Sequence, residues 1–230
     1  MKTIMTRFKR YISATKSLQD EKFNDLKDAY WRNIFKRSDE QMRKSSYLNI
    51  SEAKDGGVYG LLLNCRHANL EQLKEMGASQ NRIENYLKQN LIERVQGQDY
   101  DLYRLTARGY SQFDRFIGSD NKRYHSQSPK HDERLAERYI QVMKQNPNAI
   151  WLNEEDLKGY KRDMIQTLRE VGDYNRLEQI ERMSVTDCVY YTEGHSIAFD
   201  VVTDNYSNMD IQLKEEFSEI VGCEFQLDKI

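Results

Sequence analysis

The sequence predicts an α+β fold in two units, and three observations lead there. Apolar residues recur at helical spacing behind capping residues, hairpin signals lie near 91–105 and 185–202, and a polar stretch at 118–130 separates the two halves. A chain of 230 residues suits one large or two small domains, and that stretch makes two the expectation. The expected division is a basic helical extension at 1–57, a helix-rich domain at 58–117, a linker at 118–130 and an α+β domain at 131–230.

Composition excludes several classes. Only Pro129 and Pro147 interrupt the chain, which leaves long stretches free to be helical. The 15 Tyr and 8 Phe are core material that a disordered chain lacks. The longest apolar run, Val58 to Leu63, is six residues, against about 20 for a membrane span. Arg7, Lys9 and Arg10 stand where a signal peptide would have its apolar stretch. Cys65, Cys188 and Cys223 are far apart and odd in number, which fits a reducing cytoplasm.

The net charge of −2 hides a gradient. Residues 1–44 carry 12 Lys/Arg against 6 Asp/Glu, residues 45–118 balance at 9 and 9, and residues 200–230 carry 2 against 8. A basic start suits a polyanion, and the acidic end suits a different partner. From Met1 to Gln19, Ile4, Phe8, Tyr11 and Ile12 form the apolar side of a basic amphipathic helix, suited to DNA phosphates, an anionic membrane surface, a partner or its own protein, and resembling an organellar transit peptide in composition. A second helical pattern at Phe23, Leu26, Tyr30 and Ile34 breaks up between Ser45 and Gly57.

Val58 to His67 reads as an apolar helix. Asn69 and Gln72 form a capping-box signal for the next, whose stripe is Leu70, Leu73 and Met76, and Gly77 stops it. Ser79 then caps a third helix with Ile83, Tyr86, Leu87 and Leu91 facing inward. Its other face carries Gln80, Asn81, Arg82, Asn85, Lys88 and Gln89. Arg can pair with guanine and Asn or Gln with adenine in a major groove, while Lys suits a phosphate. Strands at Leu91–Val95 and Tyr100–Leu105 follow, joined through Gly97, and Thr106 caps a further helix through Phe113 and Phe116.

The order helix, helix, Ser-capped helix and hairpin, closed by Tyr103-Arg104-Leu105-Thr106-x-x-Gly109, resembles the winged-helix family over about 60 residues. That resemblance implies a third helix in the major groove, with Ser79, Gln80, Asn81, Arg82, Asn85 and Lys88 at the DNA. It also implies backbone contacts by Arg94, Arg104 and Arg108.

In the second half, Leu135, Tyr139, Ile140 and Met143 mark a helix from His131 to Lys144. A short strand at Ala149–Leu152, a helix at Leu157–Leu168, a hairpin at Val185–Val202, a helix from about Met209 to Ile220 and a strand at Cys223–Leu227 complete a small α+β domain. His131, Trp151 with Glu154/Glu155, Asp187, Glu193-Gly194 and Asp200 resemble the replication-relaxation family of bacterial plasmids and mobile elements. That likeness implies a domain similar to a degenerate restriction-type nuclease. Asp187 and Asp200 then match the two carboxylates that would hold Mg²⁺, with Glu154 or Glu155 a third, but the position of the assisting lysine is Val202.

No other constellation supports a metal or a nucleophile. Cys65-x-His67 lacks a second ligand pair, His125, His131 and His195 have no nearby Ser or Cys arranged as a nucleophile pair, and Gly56-Gly57 is no phosphate loop. The expectation is therefore a non-enzymatic, sequence-specific double-stranded-DNA-binding protein without a cofactor, in plasmid or mobile-element replication, mobilisation or transcription regulation. Expected partners are DNA, a relaxase or replication initiator, and a second copy in a homodimer. The alternatives are a metal-dependent nuclease using Asp187, Asp200 and Glu155, and a protein-interaction module that never touches DNA.

Overall fold

The computed structural model describes residues 48–97, 99–125 and 128–230, so the expectations for the basic segment before residue 48 lie outside the described residues. It is a mixed α+β structure with two sheets. Helix α1 (Glu52–Cys65) runs through the centre of the first unit, with Val58, Tyr59, Leu61, Leu62, Leu63 and Cys65 all buried. Gly56 and Gly57 lie inside this helix, where the sequence suggested a break. Each glycine costs about 1 kcal/mol of helix propensity. Close packing offsets that cost: a Cβ on Gly57 would stand 2.7 Å from the Met76 carbonyl oxygen, and Gly60 admits the Tyr139 hydroxyl.

Strand β1 (Ala68–Asn69) leads into α2 (Leu70–Glu75), and the Asn69/Gln72 capping box is complete. Helix α3 (Gln80–Lys88) starts where Ser79 accepts a hydrogen bond from the Arg82 amide. Strands β2 (Ile92–Gln96) and β3 (Asp101–Leu105) form an antiparallel hairpin from Ile92↔Leu105 to Gln96↔Asp101, and β1 joins it through Ala68↔Tyr103. The sheet order is β1-β3-β2.

The junction into α4 (Ala107–Phe116) gives the Leu-Thr-x-x-Gly pattern a physical reason. Thr106 Oγ1 accepts from the Gly109 amide at 2.9 Å and donates to the Asn90 carbonyl at 2.6 Å. This draws α4 so close to Leu91 that a Cβ on Gly109 would overlap the Leu91 carbonyl. Gly109→Ala is expected to cost about 3 kcal/mol or more in a denaturant melt, at the upper end of overpacking effects. A wild-type melting curve for this variant would contradict the packing.

In the second unit, Ser128 caps α5 (Pro129–Gln145), with Pro129 in its first turn. Then come β4 (Ile150–Asn153), α6 (Glu154–Val171), α7 (Tyr174–Arg182), β5 (Cys188–Thr192), β6 (His195–Val202), α8 (Asn208–Val221) and β7 (Glu224–Lys229). Helix α7 was not foreseen. Strands β4, β5 and β6 are antiparallel neighbours, and α8 carries the chain back so that β7 lies parallel to β6. The two faces of this sheet alternate as a strand's geometry requires. Cys188, Tyr190, Phe199 and Val201 join one core with α5 and the first unit, whereas Val189 and Ala198 join a second core with α6, α7 and α8.

That shared first core corrects the expected linker. Leu61, Phe113, Tyr124, Leu135, Tyr139 and Trp151 belong to one continuous cluster. The described part of 118–130 is pinned rather than free. Tyr124 is fully buried with its amide on the Leu63 carbonyl, and Asn121 Nδ2 donates to Asn64 Oδ1 at 2.8 Å and to the Trp151 carbonyl at 2.6 Å. The Asn, Lys and Tyr side chains that read as linker composition serve here as distant hydrogen-bond and packing partners.

Candidate nucleic-acid interface and a buried charge network

Helix α3 presents its polar side outward because its apolar side, Ile83 and Tyr86, is buried against the first core. Ser79, Gln80, Asn81 and Lys88 are exposed, and Asn85 is half-buried. Arg108 is exposed in the first turn of α4 and Arg94 is exposed on β2. The face is short and contains both amides and a cation.

Arg82 plays a different part from the one expected. Its Nε and Nη2 donate to Asp55 Oδ1 and Oδ2 at 2.8 and 2.6 Å, and Nη2 also donates to the Asn49 carbonyl at 2.7 Å. Asp55 is fully buried and also accepts from the Ser51 amide at 2.8 Å and from the Tyr86 hydroxyl. The Nε–Nη2 edge is thus committed to Asp55, and Nη2, which also serves Asn49, is not left to pair with Nη1 in a bidentate contact to guanine. Its side-chain hydrogen bonds to Asp55 raise the Arg82 pKa further. The hairpin cations also have protein partners: Arg104 Nε lies 2.7 Å from Glu93 and Arg94 Nη1 lies 3.6 Å from Asp101.

The second unit brings together residues the sequence singled out, in a closed arrangement. His131, in the first turn of α5, places Nε2 2.9 Å from Asp187 Oδ2. Asp187 Oδ2 also accepts from the Val201 amide at 2.7 Å, and the Asp187 amide donates to Asp200 Oδ1 at 3.0 Å. Lys214 Nζ, from α8, donates to both Asp200 oxygens at 2.6 and 2.8 Å. On the other side Asp132 Oδ2 lies 2.7 Å from His67 Nδ1, so the network reaches back into the first unit. His131, Asp132, Asp187 and Asp200 are all at most 1% exposed.

Opposite charges and hydrogen bonds offset the cost of burying these groups. Burial alone would lower the His131 pKa, but hydrogen bonds and charges from Asp132 and Asp187 outweigh it and raise it to about 10. Burial alone would raise the Asp187 carboxyl, but His131, Lys214 and the Val201 amide hold it below the usual range. Burial, and then the charge on Asp187, push Asp200 up to about 7 against the pull of Lys214.

Lys214, which the sequence did not single out, is the cation that meets Asp200. Its signal was its place on the inward stripe of α8 with Phe217, Ser218 and Val221, all buried. A Mg²⁺ ion shared by Asp187 and Asp200 does not fit this arrangement. Asp200 presents both oxygens to an ammonium, Asp187 Oδ2 is taken by an imidazole and an amide, and two cations already balance the two acids. Among the described residues no group of three or more His, Cys, Asp or Glu is arranged to hold a metal. Glu155 bonds Lys158 at 2.7 Å and lies 3.3 Å from His125, whereas it is Glu154 that feels the charges of Asp187 and Lys214. Cys65, Cys188 and Cys223 are buried free thiols. No described helix is long and apolar enough to cross a membrane. No family model, curated protein or solved structure matches this chain.

Proposed function

We propose that this is a sequence-specific double-stranded-DNA-binding protein whose first unit is a winged helix, with α3 as the reading helix. The observation that carries the reading is the exposed α3 face of Ser79, Gln80, Asn81 and Lys88, set beside an antiparallel hairpin and backed by α1 and α2. Asn81 and Gln80 supply base readout, each good contact being worth about 1–3 kcal/mol. Lys88, Arg94 and Arg108 face phosphates, and Arg82 is a positioning residue that holds α3 against α1 through Asp55.

The second unit, with three antiparallel strands and a helical crossover to a parallel fourth, is read as a restriction-nuclease-like frame whose acid pair is closed by Lys214 and His131. Its role is to carry a partner, a second copy or a relaxase or replication initiator, and no reaction is assigned to it. The setting that suits this reading is a plasmid or mobile element, with the protein acting in replication or mobilisation or as a regulator.

Binding to a random-sequence duplex at two salt concentrations tests the reading. Affinity is expected to fall steeply with salt, and Lys88→Ala is expected to weaken binding to all sequences about equally. The ion pairs on Arg94 and Arg104 favour one rival, a winged helix used for protein contact. Absence of duplex binding at low salt would select that rival.

A further inference from the structure

Between α1 and β1 the chain makes a turn that most side chains avoid. Arg66 has φ 70° and ψ −61°, and the His67 amide closes a three-residue turn on the Cys65 carbonyl at 2.8 Å. A γ-turn with positive φ is strained for any residue with a Cβ, and glycine would adopt it more easily. Such outliers persist where the surroundings impose them, and they gather at binding sites. Half-buried Arg66 has no hydrogen-bond or ion-pair partner for its guanidinium among the described residues.

Two further arginines surround it. Ala68 pairs with Tyr103, so the antiparallel register carries Arg66 toward the Arg104–Leu105 end of β3. Arg104 is held there by Glu93 at 2.7 Å, and Arg123 Nη2 donates to the Leu105 carbonyl at 2.8 Å while its guanidinium lies over the Tyr110 ring, 5.7 Å from the centroid. Burial, and then the positive charges of Arg123 and Arg104, lower the Arg66 pKa, with Asp132 and Glu93 opposing. Of those two acids, Glu93 is paired to Arg104 and Asp132 is buried against His67 and His131. The like charges of Arg123 and Arg104 repel that of Arg66 with little compensation, and Arg104 and Arg123 are anchored by Glu93 and the Leu105 carbonyl. A bound oxyanion removes that repulsion, and guanidinium forks match phosphate oxygens.

We infer that Arg66, Arg104 and Arg123 form a phosphate-binding site at the base of the β2–β3 hairpin, with Arg66 as the free fork. Resting on the DNA reading above, its natural occupant is one backbone phosphate of the duplex read by α3. The same chemistry would accept a free phosphate or pyrophosphate. The winged-helix resemblance implies a backbone contact by Arg104 and none by Arg66 or Arg123.

Arg66→Gly is the informative variant, because glycine relieves the turn while deleting the guanidinium. Its melting temperature is expected to equal or exceed that of the wild type. Its binding to a random duplex should lose about 3-fold less affinity between 50 and 200 mM salt, the loss of about one phosphate contact. A salt dependence identical to the wild type's, in a protein that binds duplex, would overturn the site and leave the DNA reading standing. If the wild type binds no duplex at low salt, the DNA reading fails and pyrophosphate decides. Millimolar pyrophosphate raising the melting temperature of the wild type but not of Arg66→Gly would uphold the site, and an equal effect on both, or on neither, would overturn it.

Discussion

Lys214→Met is expected to destabilise the protein by about 3–5 kcal/mol, because it leaves the Asp200 carboxylate buried without its cation. The size of the loss should depend on pH. Asp200 already has its folded pKa raised to about 7, above its ordinary 3.8, and loss of the ammonium raises it further. A carboxyl raised in the folded state favours folding at low pH, and that contribution is lost as pH rises through the folded value. The variant's deficit is therefore largest above pH 7 and shrinks toward pH 4. His131 adds a trend of the same sign to the wild type. With a folded value of about 10 against 6.5, its contribution is complete below pH 6.5 and lost as pH rises toward 10. Denaturant melts at pH 5, 7 and 9 measure both effects. A pH-independent loss below about 1 kcal/mol would mean that Asp200 and Lys214 are not a buried pair.

Asp55→Ala should be comparably damaging, by about 3–5 kcal/mol, since it removes a fully buried acceptor for Arg82, Tyr86 and the Ser51 amide. Arg82→Ala exposes the same dependence from the other side, leaving Asp55 without its cation. Because both variants break one interaction, the double variant should cost much less than the two single losses added together. Full additivity in the cycle would contradict the bidentate pair. Both changes should also weaken duplex binding, although neither residue faces the proposed DNA. The Arg82–Asp55 pair sets how α3 sits on α1, and reading a groove demands that position.

What the sequence made legible was largely local. The Asn69/Gln72 box and the Ser79 and Thr106 caps stand where expected, because capping depends on residues three apart. The hairpins were legible from alternation and turn residues. What was missed depends on contacts distant in sequence. Gly56 and Gly57 looked like a helix break until Met76 packed on the second of them. Asn121 and Tyr124 looked like linker until Asn64, Trp151 and Leu63 met them.

The sites divide in the same way. Asn81 and Lys88 lie on an outward face that periodicity alone could find. Arg82 lies on that stripe as well, but its partner Asp55 is 27 residues upstream, and no local spacing shows it. Asp187, Asp200 and His131 were singled out separately, and only the sheet register together with α5 brings them into one network. Two residues after Asp200 the sequence has Val202, and the cation that meets Asp200 comes 14 residues later, from the helix that crosses over to β7.

Recovery of DNA from a randomised pool tests whether the exposed face of α3 reads duplex DNA. The wild type is expected to enrich a short site. The Gln80→Ala/Asn81→Ala variant, with a wild-type melting temperature, should lose preference at adjacent positions of that site while keeping its salt-dependent affinity for random duplex. An unenriched pool from the wild type, together with no retention of random duplex at low salt, would contradict it.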